Sequence, residues 1–139
     1  MTVFVDTSVI MYAAGSDHPY RSSCQQVLAH ISDARLDAVT STEVVQEILH
    51  RFARGRRETG RLMAQGVLDL FGDLLPVDCP TIAGAVARFA GAPELSARDV
   101  LHVATCMVNG ISEIVSLDSG FDVVTEVRRI APSDLAGPR

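Results

Sequence analysis

Two short apolar runs, Val3-Phe4-Val5 and Ile114-Val115-Ser116-Leu117, each stop on an aspartate, Asp6 and Asp118, and a hydroxyl residue follows each. Runs this short, rich in β-branched residues and without polar alternation, read as strands of a parallel sheet buried on both faces. The stretches between them carry helical periodicity. In open α/β sheets ligands gather beyond the carboxyl ends of the strands, which is where both aspartates fall. A plainer reading stands beside this one: Asp6, Thr7 or Ser8 could simply cap the next helix.

Strand and helix signals alternate along the rest of the chain. Residues 8–14 and 19–31 read as helices, the second with Pro19 near its first turn. Residues 37–40 form a short strand candidate, and Thr40-Ser41-Thr42-Glu43 opens a helix whose Val44, Val45, Ile48, Leu49 and Phe52 make one apolar face, closed at Gly55. A helix over 61–74 follows, then a strand over 74–77 that Pro76 confines to an edge, then a helix over 80–90. Ser96 starts another helix, with Val100, Ala104, Met107 and Val108 on one face and Gly110 at its end. A strand over 113–117, a turn over 118–122 and a last short strand drawn from Val123-Val124 and 127–130 complete the pattern. Residues 2–130 read as the core of one domain spanning 1–139, and residues 131–139 as a tail.

At 139 residues, 47% of them hydrophobic, the chain can bury a core without staples. Its three cysteines, Cys24, Cys79 and Cys106, are scattered, so a reduced protein without structural zinc is expected. A cytoplasmic location follows as an expectation, since no leader pattern precedes the first strand and no apolar run is long enough to cross a membrane. All twelve basic residues are Arg, which excludes a P-loop lysine, a Schiff base and a catalytic ammonium. The net charge of −5 argues against coating nucleic acid by bulk attraction. Locally the balance reverses: Arg51, Arg54, Arg56, Arg57 and Arg61 fall within eleven residues, either as the solvated end of a helix or as a patch that holds phosphates.

Each remaining acid has a structural explanation when taken alone. Glu43 stands three residues after Thr40, as in a capping box, and Glu47 is spaced to pair with Arg51. Asp99 imitates the acid of a capping box opened by Ser96, although Asp is shorter than the Glu or Gln that box prefers. His102 lies nearly opposite the apolar face of its helix and reads as a surface residue. Together, Asp6, Glu47, Asp99 and Asp118 can converge at one edge of the sheet. Four carboxylates there would raise one another's pKa unless a cation intervened, and oxygen-only donors favour Mg²⁺ or Mn²⁺ over zinc. Mg²⁺ completed by substrate phosphate points to phosphodiester hydrolysis.

Val3-Phe4-Val5-Asp6-Thr7-Ser8, Ser41 through Glu47, Ser96 through Ala104 and Val115 through Asp122 together resemble a PIN domain, and in length and order the VapC ribonuclease toxins. The resemblance spans roughly residues 2–130. It implies an α/β three-layer sandwich with a parallel sheet of four to five strands, and an acidic pocket that holds Mg²⁺ or Mn²⁺ and cuts single-stranded RNA. Asp6 and Asp99 match the principal metal ligands and Asp118 the fourth acid. Glu47 matches the helical acid by its distance from Ser41, with Glu43 one turn away as the alternative. Ser8 and Asp122 match supporting positions. The resemblance also implies a homodimer and a VapB-type antitoxin partner, with no membrane role. Rival readings are a PIN-fold binding module that no longer cuts, and a phospho-acceptor domain, which fits badly without lysine. Nucleases with helical arches need more chain than this.

Overall fold

The computed structural model describes residues 1–138. Among them, β1 (Val3–Val5), β2 (Ala38–Val39), β3 (Glu113–Val115) and β4 (Arg128–Ile130) form one parallel sheet in the order β2-β1-β3-β4. Phe4 stands in register with Val39 on one side and Ile114 on the other. Phe4, Val5, Ile114 and Val115 are fully buried, as runs without polar alternation require.

The helices are α1 (Thr7–Ala14), α2 (Arg21–Ser32), α3 (Thr42–Arg51), α4 (Arg57–Phe71), α5 (Cys79–Phe89), α6 (Ala97–Val108) and α7 (Pro132–Leu135), with a 3-10 turn over Ser119–Val123. The chain winds outward from β1 to β2 and on to Leu75, which joins the sheet edge by a single parallel bridge to Ser41. It then returns across the sheet to β3. Right-handed crossovers in opposite directions put their helices on opposite faces, so α1–α4 cover one face and α5–α6 the other. The pairings α1 with α2, α3 with α4, and α5 with α6 agree with this. Direction reverses beside β1, and it is beside such a reversal, at the ends of β1 and β3, that α/β sheets gather ligands.

Several boundaries differ from the sequence reading. The strand expected over 74–77 is reduced to that one bridge, with Leu75 N–H on Thr40 O and Thr42 N–H on Leu75 O; Pro76 has no N–H to continue it. Thr40 does not cap α3. Its hydroxyl donates to Val5 O at 2.8 Å, which ties β2 to β1, and Ser41 takes the N-cap position. Glu43 therefore has no capping box to complete. Leu49, expected on the apolar face, is 48% exposed. Helix α3 ends at Arg51 rather than Gly55, while α4 starts four residues before the expected Arg61 and stops at Phe71, where Gly72 takes φ 69°. Val123 lies in the 3-10 turn and not in a strand.

The stretch read as a tail is tied down. Leu135 of α7 is buried in the core, and Gly137 bonds to α2 through Gln26 Oε1 and His30 Nε2. Arg139, at its end, lies outside the described residues. Cys24, Cys79 and Cys106 are free thiols. Among the described residues no helix is long and apolar enough to cross a membrane.

Candidate acidic active site

Asp6 occupies the N-cap position of α1 but makes no capping hydrogen bond with its side chain. Its carboxylate, 5% exposed, instead accepts on Oδ2 from Ser8 Oγ at 2.9 Å and Ser116 Oγ at 2.6 Å. Both serines are held by the backbone in turn: Ser8 Oγ accepts from Leu117 N–H and Ser116 Oγ from Asp118 N–H. The two strand ends are thus stitched together, and Asp6 is fixed at their junction. Ser116 was not foreseen, although a lone hydroxyl in an apolar run, two residues before the acid that ends it, is a readable signal.

Glu47 is buried on the inner side of α3 and accepts from Thr7 Oγ1 at 3.0 Å. Arg51, one turn on, stands 3.5 Å from its other oxygen, so the expected pair exists alongside the buried role. Burial opposes ionisation of Glu47. Hydrogen bonds from His102 and Thr7, with the charges of His102 and Arg51, outweigh it and hold the pKa below the ordinary glutamate value.

His102 corrects the sequence reading most sharply. It is fully buried, with Nε2 at 3.4 Å from Glu47 Oε1 and 3.6 Å from Asp6 Oδ1. Acceptors on that side assign a proton to Nε2, while Nδ1 has no hydrogen-bond partner. Burial alone would lower its pKa. The hydrogen bond to Glu47 and the charges of Asp6, Glu47 and Asp99 reverse this and raise it. The helical wheel failed here because α6 is buried on both sides: His102 and Thr105 are as enclosed as Val100 and Val103.

At the start of α6, Ser96 Oγ caps the helix by accepting from Asp99 N–H at 3.1 Å. The serine thus supplies the cap, and the Asp99 carboxylate is pushed up to about 6 by burial and by the charges of Asp6 and Asp118. Asp118 itself caps the 3-10 turn, accepting from Gly120 N–H at 2.8 Å. Asp6, Glu47, Asp99 and Asp118, from four separate elements, are therefore gathered at one end of the sheet, Asp99 near Asp6 and Asp118, and Glu47 joined to Asp6 through His102. Asp122 is engaged elsewhere: Arg129 of β4 holds both its oxygens, at 2.8 and 3.1 Å.

The arginines divide. Arg61 is paired with Glu58, and Arg57 donates to Ala53 O at 2.7 Å. Arg56, at φ 57°, lies over the Phe52 ring, and Arg54 is exposed. Together with Leu49 and Gly60, Arg57 and Arg61 border a shallow cleft of about 340 Å³ between α3 and α4.

Among the described residues, no three acid, histidine or cysteine side chains stand together at metal-ligating distances. The acids converge without forming a cage. The donor set is all oxygen, and it leaves Asp99 with unneutralised negative neighbours. Such an open set fits Mg²⁺, which keeps several waters and takes only one or two carboxylates, better than a closed zinc site.

The PIN domain family model matches residues 3–127. The chain is 32% identical over 130 residues to ribonuclease VapC13 of Mycobacterium tuberculosis H37Rv, covering 93% of this chain and 99% of that protein. To ribonuclease VapC23 of M. tuberculosis CDC 1551 it is 34% identical over 116 residues, or 84% and 92% of the two chains. A similar fold is found in VapBC2 from Rickettsia felis, solved bound to a DNA fragment from its promoter, at TM-score 0.74 and 12% identity over 94% of this chain and 98% of that one.

Proposed function

This chain belongs to the PIN-domain family, with VapC ribonucleases among its relatives, and on that premise we propose that it is the toxin of a toxin–antitoxin pair, an endoribonuclease that hydrolyses single-stranded RNA with Mg²⁺ or Mn²⁺ in the acidic crevice. The observation that carries this reading is the convergence of Asp6, Glu47, Asp99 and Asp118 at the reversal point of the sheet, with Asp99 pushed up to about 6 by burial and by the charges of Asp6 and Asp118.

Asp6, Asp99 and Asp118, with Glu47 beside them, would hold the cation. When bound, it supplies an activated water and charge stabilisation for the leaving oxygen. The chain's own residues prepare the ground. Ser8 and Ser116 fix one oxygen of Asp6, and the other faces His102. His102 spans Glu47 and Asp6, so two acids from different elements keep their spacing around a ring closed off from water. The similarity to a VapBC complex supports a VapB-type antitoxin as the partner, and a homodimer is the assembly expected within the family.

The test is cleavage of total cellular RNA by wild type and by Asp99→Asn, each with Mg²⁺, Mn²⁺ or EDTA. Wild type should give discrete fragments with either metal and none with EDTA, and Asp99→Asn should be slower by at least about 100-fold. Equal fragments from both proteins, or fragments that persist in EDTA, would remove the assignment. Folded wild type without product in either metal would transfer the chain to the non-cutting binding modules.

A further inference from the structure

At the far end of α1 from Asp6, three aromatic rings stand together in a turn that has no part in the acid cluster. Tyr12 lies 4.8 Å from His18 and 5.9 Å from Tyr20, and His18 lies 5.0 Å from Tyr20, centroid to centroid. These are the chain's only two tyrosines. Tyr12 is footed against the core, whereas His18 and Tyr20 are exposed, Tyr20 at 49%. The His18 ring is held by the Tyr20 N–H, which donates to its Nδ1 at 3.2 Å. A cluster serving only the core would not leave its ring faces in water.

Beside the rings runs a cleft of about 280 Å³, lined by Met11, Tyr12, Asp17, His18 and, from α3, Arg51. Arg51 is the same residue that stands 3.5 Å from Glu47, so the cleft and the acid crevice share a wall. One carboxylate and one guanidinium make this a poor trap for phosphate alone. They suit a nucleotide: a ring face for the base, Asp17 for an exocyclic amino group, and the free side of Arg51 for the adjoining phosphate.

We infer that Tyr12, His18 and Tyr20 form a stacking subsite for a base of single-stranded RNA next to the scissile phosphate, with Arg51 as the link between base and acid pocket. This rests on the nuclease reading and adds to it a place where substrate is chosen.

The chain has no Trp, so Tyr20→Trp introduces a single indole as a reporter. In EDTA, where RNA binds without being cut, labelled oligouridine and oligoadenine should quench that indole. An oligonucleotide of the same length built from abasic residues should bind through its phosphates without quenching it. The indole of Val86→Trp, on the exposed face of α5, should be silent throughout. Tyr20→Leu and Tyr12→Leu should each weaken binding by about tenfold, and Tyr20→Phe should restore it; thermal melts confirm that each variant is folded. Unquenched indole with unchanged affinity in Tyr20→Leu would overturn the subsite. Metal-dependent cleavage by wild type, run in parallel, would then leave the nuclease reading standing. Wild type that neither binds nor cuts RNA would bring down both.

Discussion

Asp99 has the most consequential environment of any side chain in the molecule. Its pKa near 6 lies above the roughly 3.9 of an unfolded aspartate. A carboxyl group raised on folding favours the native state while protonated, and that contribution is lost as pH rises through the folded value. Asp99→Asn removes the ionisation and keeps the volume. At about pH 7.5 without divalent cation, the variant should therefore be more stable than wild type, on the order of 1–2 kcal/mol once solvent screening is allowed for. Below about pH 4 the two should converge. Adding Mg²⁺ should reverse the order, because only wild type gains by binding. Melts at the two pH values, with EDTA or Mg²⁺, check all three statements, and equal stability at about pH 7.5 in EDTA would show that Asp99 is not under charge strain. This residue also shows how far sequence reading reaches. Capping and site roles for Asp99 were both legible from Ser96-x-x-Asp99; the choice between them was not, because it turns on Asp6 and Asp118, about a hundred residues away on one side and about twenty on the other.

Among the elements, α4 departs furthest from expectation, and Gly60 is the reason. Glycine in a helix interior costs about 1 kcal/mol relative to alanine, so Gly60 is an unfavourable residue for the first turn of a helix that starts before Arg61. Tertiary packing overrides it. A Cβ on Gly60 would lie 2.6 Å from Phe52 Cβ, so only glycine lets α4 close on the end of α3. Gly60→Ala should thus destabilise by about 1–3 kcal/mol despite better helix propensity. Gly66, in the same helix with no atom within 4 Å of its would-be Cβ, supplies the contrast. Gly66→Ala should stabilise by roughly 0.5–1 kcal/mol. Urea midpoints for both variants decide the matter: a stabilising Gly60→Ala would mean that α3 and α4 pack loosely. The strands β1 and β3 themselves, in contrast, were readable from the apolar runs; that β1 lies between β2 and β3 was not.

For the whole molecule, the question is how an acidic chain engages a polyanion. A net charge of −5 repels RNA at long range, so binding depends on local arrangement. Arg54, Arg56 and Arg57 follow the end of α3, the helix that carries Glu47 and Arg51. Arg56 occupies the left-handed region at φ 57°, which Asn tolerates. The combined variant Arg54→Gln, Arg56→Asn, Arg57→Gln should weaken binding across RNA sequences. It should also flatten the dependence of log K on log salt by up to about 2, at roughly 0.7 for each single-strand phosphate that is no longer neutralised. An unchanged slope, by fluorescence anisotropy over a salt series, would take these arginines out of the RNA path.

By itself the sequence determined what is local: the buried β-branched runs, the aspartates at their ends, the serine cap at Ser96, and an inventory of Arg without Lys. Periodicity fixes where a side chain points relative to its own element, and that suffices for these. Only the tertiary structure decided what stands opposite. His102 is internal because α6 is covered on two sides; Asp122 is drawn to Arg129 because β4 returns beside the 3-10 turn; Ser116 joins Ser8 on Asp6 because β3 pairs with β1. Each of these depends on the reversal of the winding beside β1. That reversal is a long-range property, and no window of sequence contains it.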